Sequence, residues 1–139
     1  MDKKRYTGVM VKCGNKLLLC KRNNLGSFPG MWSIPGGKLE DGETTQEGAK
    51  REFFEETAVD IDDKELTFVG LIPRHTRDGK KMKGIMYVYL LKVDKEIEPD
   101  LENAIDGEEH TEWGYFDINN ITPETTGEYM HKLAEIILQ

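Results

Sequence analysis

Apolar residues come in short bursts separated by turn-forming residues, and their spacing changes once, between residues 44 and 57. Val9 to Cys13 and Leu17 to Cys20 flank Gly14-Asn15, a good tight-turn pair, so residues 6–22 predict a β-hairpin. Residues 23–31 are rich in Asn, Gly and Pro and predict a loop. Trp32 to Ile34 predicts a short strand, stopped by Pro35-Gly36-Gly37. Thr44, with Glu47 three residues on, then forms a capping box, and Ala49 and Phe53 supply an i, i+4 apolar pair. A helix is expected from about Thr45 to Thr57. Leu66 to Ile72 and Gly84 to Val93 predict two β segments, with turn chemistry between them at Arg77-Asp78-Gly79-Lys80. Glu112 to Phe116 predicts another short strand. Met130, Leu133, Ala134 and Ile137 recur at i, i+3, i+4, i+7 and predict a closing amphipathic helix. Strands, helix, strands, helix: the order is a mixed α/β layout without a regular βαβ repeat.

Composition sets bounds on this picture. The 139 residues show no repeat or linker, so one domain, 1–139, is expected. An apolar fraction of 37% suffices for one core. The longest apolar runs, Leu17 to Leu19 and Met86 to Leu91, are far shorter than a bilayer span. The first residues, Met1-Asp2-Lys3-Lys4-Arg5, lack the apolar stretch of a signal peptide, which predicts a cytoplasmic protein. Cys13 and Cys20 sit in strand-like apolar surroundings and are expected as plain thiols. With 26 acidic against 19 basic residues the formal net charge is −7, the wrong sign for gripping long nucleic acid. A polyphosphate is still compatible if divalent cations stand between carboxylates and phosphates.

Glu52, Glu55 and Glu56 are spaced i, i+3, i+4, which puts three carboxylates on one helix face within an arc of roughly 100°. Like charges so close repel, so either water solvates them or a cation sits among them. Hard divalent ions with oxygen ligands, Mg²⁺ or Mn²⁺, are the natural partners. For the triplet alone the solvated acidic face is the favoured reading. Its context adds weight to the second. Pro35-Gly36-Gly37 supplies flexible backbone upstream, where carbonyls and amides can approach a ligand. Glu43 and Arg51 flank the triplet, Arg51 within reach of Glu47 or Glu55.

Residues 37–59, GKLEDGETTQEGAKREFFEETAV, resemble the Nudix box, G-x5-E-x7-R-E-U-x-E-E-x-G-U with U apolar. Gly37, Glu43, Arg51-Glu52, Phe53, Glu55-Glu56 and Val59 fill its positions at unchanged spacing. Ala58 departs from it, standing where the family has the glycine that closes the helix. The likeness extends to Trp32-Ser33-Ile34-Pro35-Gly36-Gly37 before the box, and to Glu109-His110-Thr111-Glu112-Trp113 and Phe116-Asp117 after it. The resemblance implies an α/β/α sandwich with a mixed β-sheet between helices. It implies Mg²⁺ or Mn²⁺ held by Glu52, Glu55 and Glu56 with the backbone carbonyl of Gly36 or Gly37, and Arg51 orienting carboxylates through Glu43 or Glu55. It also implies a general base: Glu52 is favoured, Glu109 is the main rival, and Glu108 and Glu112 stand behind.

Around this centre, Lys38, Lys21 and Arg22 are candidate phosphate contacts. Trp32 and Phe28 either stack on a base or simply pack. Arg74, Arg77, Lys80, Lys81 and Lys83 cluster at one expected turn, where solvation is favoured over phosphate guidance. His75, His110 and His131 lack ligand spacing and are read as non-ligands. The implied activity is hydrolysis of a phosphoanhydride in a small nucleotide-like substrate. This is a nucleoside triphosphate or a nucleoside diphosphate linked to another group, with damaged-nucleotide sanitation the leading role. ADP-ribose, dinucleoside polyphosphates and capped RNA ends stay open, as do a non-catalytic nucleotide-sensing module and a homodimer.

Overall fold

From Tyr6 to Val11 the first strand, β1 (Lys4–Cys13), is buried at every position, on both of its faces. It can be so only in the middle of a sheet covered on two sides. The computed structural model describes residues 4–23, 30–75, 80–106 and 110–122. Its strands are β1, β2 (Lys16–Arg22), β3 (Trp32–Ser33), β4 (Gly36–Lys38), β5 (Thr67–His75), β6 (Met82–Val93) and β7 (His110–Asp117). They form one seven-stranded mixed sheet ordered β3-β2-β1-β6-β5, with β4 on β1 and β7 on β2. β1 runs parallel to β6 from Lys4↔Gly84 to Cys13↔Val93. The strand expectations hold, mostly with longer bounds.

One expectation needs correction. Pro35-Gly36-Gly37 does not merely stop a strand; Gly36-Gly37-Lys38 is itself a strand. β1 and β2 pair only beside their turn, at Lys12↔Leu17 and Cys13↔Lys16. The wedge beyond is filled by residues 32–38, with β3 on Cys20 and Lys21 and β4 on Tyr6, Thr7 and Gly8. The glycines serve close approach here. A Cβ on Gly36 would collide with the Thr7 carbonyl, and one on Gly37 with the Glu52 carboxylate.

Period-2 alternation divides the core into two. On one face Val9, Val11, Leu18, Tyr89 and Leu91 pack under Ala49 and Phe53 of the helix α1 (Thr45–Thr57). On the other lie Tyr6, Met10, Leu17, Leu19, Ile72, Met86 and Val88. The amphipathic helix expected near Met130 lies outside the described residues, as do Arg77 and His131. Both cysteines are free. Cys20 is buried, and burial with the neighbouring Glu56 charge holds its thiol well above its ordinary pKa.

A 13-residue helix with paired glutamates is marginal alone. Repulsion costs a few tenths of a kcal/mol per pair, whereas burying Phe53 contributes about 2–3 kcal/mol, so packing wins. The expected capping box is present: Thr44 Oγ1 accepts from Glu47 N at 3.1 Å and Thr44 N donates to a Glu47 oxygen at 2.9 Å. At the other end Ala58 adopts φ 61°, ψ 17° and donates its N–H to Phe54 O. Alanine thus keeps the left-handed closure that glycine would adopt without strain. Ala58→Gly is expected to stabilise the protein by about 1 kcal/mol in urea unfolding. An unchanged or lower midpoint would show that the extra freedom of glycine in the unfolded chain outweighs the relief.

Candidate metal and phosphate site

α1 lies on the sheet so that its last two turns face β4. Glu56 is buried, 1% exposed, and accepts the Gly36 N–H at 3.1 Å. Glu52 lies one turn earlier, its carboxylate filling the space a side chain on Gly37 would need. Two carboxylates thus rest on consecutive backbone units of one short strand. Only an element that is extended, paired and free of side chains permits this.

Arg51 braces the group from outside. Its Nε and Nη2 donate to the two Glu43 oxygens at 3.1 and 2.8 Å, and Nη1 to Glu52 and Glu55 at 3.0 Å each. Nη2 also bonds the Lys38 carbonyl at 3.0 Å, and Glu40 stands 3.7 Å from Nη1. Glu47 is absent from this set because it caps the helix. The hydrogen bond from Arg51 holds the Glu43 carboxyl below the ordinary carboxylate range, and the same partners raise the Arg51 pKa. Such bidentate, charge-assisted bonds fix orientation as well as charge. Behind Glu55, the Asp106 N–H bonds its carbonyl at 2.7 Å and the Asp100 N–H bonds Thr57 O at 2.8 Å. The helix end is therefore satisfied by the following loop.

Lys38, Glu40, Arg51, Glu52, Glu55 and Asp106 line an open cleft of about 620 Å³. Among the described residues, no three His, Cys, Asp or Glu side chains close into an ion cage by themselves. The set still suits Mg²⁺, which usually takes one or two carboxylates and keeps water and substrate phosphates for the rest. The donors here are hard oxygens: carboxylates plus strand carbonyls.

The remaining candidates separate by face. Arg22, at the end of β2, lies opposite His110. Trp32 packs on Phe116 with ring centroids 4.8 Å apart, on the sheet face away from α1. Glu112 also points away from α1, in register with Lys21 and 3.6 Å from its Nζ, which removes it as a base acting at the box. Phe28, Glu108 and Glu109 lie outside the described residues. Arg74 is the second correction: it is no solvated turn residue but 8% exposed, its guanidinium 4.9 Å above the Tyr6 ring. Its alternation with Ile72 along β5 was the available signal.

His110 is 4% exposed, and neither ring nitrogen has a hydrogen-bond partner among the described residues. Burial first, then the Arg22 charge, lowers its pKa to about 4. The native imidazole is therefore neutral where the unfolded one, near 6.5, takes a proton. As pH falls from roughly 6.5 to 4 the unfolded state gains that proton alone, and stability should drop by up to roughly 3 kcal/mol. His110→Gln should flatten this part of the profile in urea titrations at pH 7 and pH 5. Parallel profiles would show that the histidine gains its proton while folded.

The NUDIX domain profile matches residues 2–135. The chain belongs to the Nudix family. Over 112 residues it is 35% identical to the ADP-ribose pyrophosphatase of Methanocaldococcus jannaschii, covering 81% of this chain and 60% of that protein. Over 64 residues it is 38% identical to the 8-oxo-dGTP diphosphatase of Proteus vulgaris, covering 44% of this chain and 57% of that one. Each alignment spans less than two thirds of the relative. Among solved structures, the MutT NUDIX hydrolase of Burkholderia pseudomallei superposes with a TM-score of 0.77 at 19% identity, covering 96% of both chains. This places the described sheet and helix in the Nudix α/β fold. No helix among the described residues is long and apolar enough to cross a membrane.

Proposed function

We propose that this Nudix chain, as a single domain, hydrolyses a phosphoanhydride bond in a small nucleotide, using Mg²⁺ or Mn²⁺. The observation that carries the reading is the seating of Glu52 and Glu56 on Gly36-Gly37, with Arg51 bracing Glu52 and Glu55. Glu52, Glu55, Glu56 and a Gly36 or Gly37 carbonyl would hold the ion. When bound, it neutralises phosphate charge and makes a coordinated water more acidic. The chain's own groups do the rest. Arg51 holds the carboxylates apart and oriented, Lys38 at the cleft edge and Arg22 draw in the phosphates, and Glu52 or Glu109 accepts the proton of the attacking water.

Substrates are nucleoside triphosphates or nucleoside diphosphates carrying another group. The two relatives' activities, on 8-oxo-dGTP and ADP-ribose, bracket this range. Oxidised-nucleotide sanitation is the first role to test and ADP-ribose cleavage the second. A panel of 8-oxo-dGTP, dGTP, ADP-ribose and a dinucleoside polyphosphate, assayed with Mg²⁺, Mn²⁺ or EDTA, decides. Turnover with metal and none with EDTA is expected. Tight binding without turnover of any member would point instead to a nucleotide-sensing module.

A further inference from the structure

The cleft beside the carboxylates is lined mostly by charged groups, and among the described residues Leu39 and Ile105 are its apolar ones. Leu39 is already packed: it is 9% exposed, and its Cδ1 occupies the space that a Cβ on Gly48 would need. Ile105 is 67% exposed, the highest value for a large apolar side chain among the described residues. A lone apolar residue on a surface needs no explanation by itself. Ile105 differs because the loop that carries it is fastened at three points. The Tyr115 hydroxyl accepts from Ile97 N at 2.7 Å and donates to Ile97 O at 2.8 Å. The Asp100 N–H bonds Thr57 O at 2.8 Å, and the Asp100 carboxylate accepts from Asn103 N at 3.2 Å and Asn103 Nδ2 at 2.8 Å. On either side of Ile105, Ala104 N bonds Asp100 O at 3.0 Å and Asp106 N bonds Glu55 O at 2.7 Å. The isoleucine is therefore held at the cleft, one residue from a bond to Glu55, and faces water there.

We propose that Ile105 is a specificity-determining residue of this cleft. Its side chain packs against the sugar or base adjoining the substrate's phosphates, and so favours a nucleotide over a bare polyphosphate. The chemistry of the two partners divides in the same way. Phosphates are met by cations and N–H donors, whereas the faces of a sugar or base gain by leaving water. A loop already ordered by Tyr115, Asp100 and Glu55 loses little further freedom when a ligand covers it. The inference rests on the hydrolase reading, which puts the phosphates in the same cleft.

The test sets nucleotides against inorganic tripolyphosphate, which has the phosphate chain and no ring. Ile105→Ser should raise KM about five- to tenfold for whichever of dGTP, 8-oxo-dGTP and ADP-ribose the protein turns over, with a much smaller fall in kcat. Ile105→Leu should recover most of the loss. The inhibition constant of tripolyphosphate should be the same in all three proteins. Ile105 is exposed, so both variants should fold, and circular dichroism checks that they do. An unchanged KM in Ile105→Ser would show that nothing packs on the residue. An equal loss for tripolyphosphate would show that the substitution acts through the loop and Glu55. Either result overturns the proposal. Should wild type turn over none of the nucleotides, the hydrolase reading fails, and thermal stabilisation by the same probes with Mg²⁺ replaces the kinetics. A loss in Ile105→Ser confined to the nucleotides then still supports the packing; equal stabilisation of both proteins, or none of wild type, overturns it.

Discussion

Replacing Glu56 with Gln is expected to lower kcat/KM by about 10²–10⁴-fold, with Glu52→Gln in the same range. Both substitutions keep side-chain shape and remove one negative charge each from the wall built on Gly36-Gly37. The variants should also need more Mg²⁺ or Mn²⁺ for half-maximal rate, which a merely structural carboxylate would not cause. Glu56 is 1% exposed, so Glu56→Gln also needs a stability check. Glu52, on the cleft wall, is the control less tied to folding. Normal turnover by both would remove the helix from the chemistry.

Arg51→Met should cost about 3 kcal/mol of stability, a fall of roughly 10 °C in Tm. Its side chain is 23% exposed and makes four hydrogen bonds to carboxylates, two to Glu43 and one each to Glu52 and Glu55. Their deletion leaves three carboxylates facing one another across a half-desolvated gap. Arg51→Lys should recover little, because a single ammonium cannot occupy a fork that meets Glu43 through both oxygens. Adding Glu43→Gln to Arg51→Met should restore part of the loss by removing one uncompensated charge. A loss below about 1 kcal/mol would mean that water already screens the cluster.

The helix and its chemistry were legible in the chain because they are local. Thr44 and Glu47 announce the start three residues apart, Ala49 and Phe53 mark the buried face, and i, i+3, i+4 spacing gathers Glu52, Glu55 and Glu56. The hairpin around Gly14-Asn15 was legible for the same reason. Left-handed closure at Ala58 was expected of the position, though alanine is a costly residue for it.

What the tertiary structure decided depends on register between distant strands. Gly36-Gly37 reads locally as a breaker; only the parting of β1 from β2 makes it a strand, and only α1 above it makes its bareness a seat for carboxylates. Helix spacing offered Arg51 only Glu47 or Glu55 and the family likeness Glu43 or Glu55; the fold joins Glu43, Glu52 and Glu55 on one guanidinium, because the chain from Lys38 to Glu43 turns back beside the helix. Arg74 looks like a turn residue until β5 pairs with β6 and sets it opposite Gly84, over Tyr6. Short-range spacing fixes which groups share a helix face. Which backbone, ring or opposite charge they meet is set by contacts tens of residues apart, and those exist only once the sheet has formed.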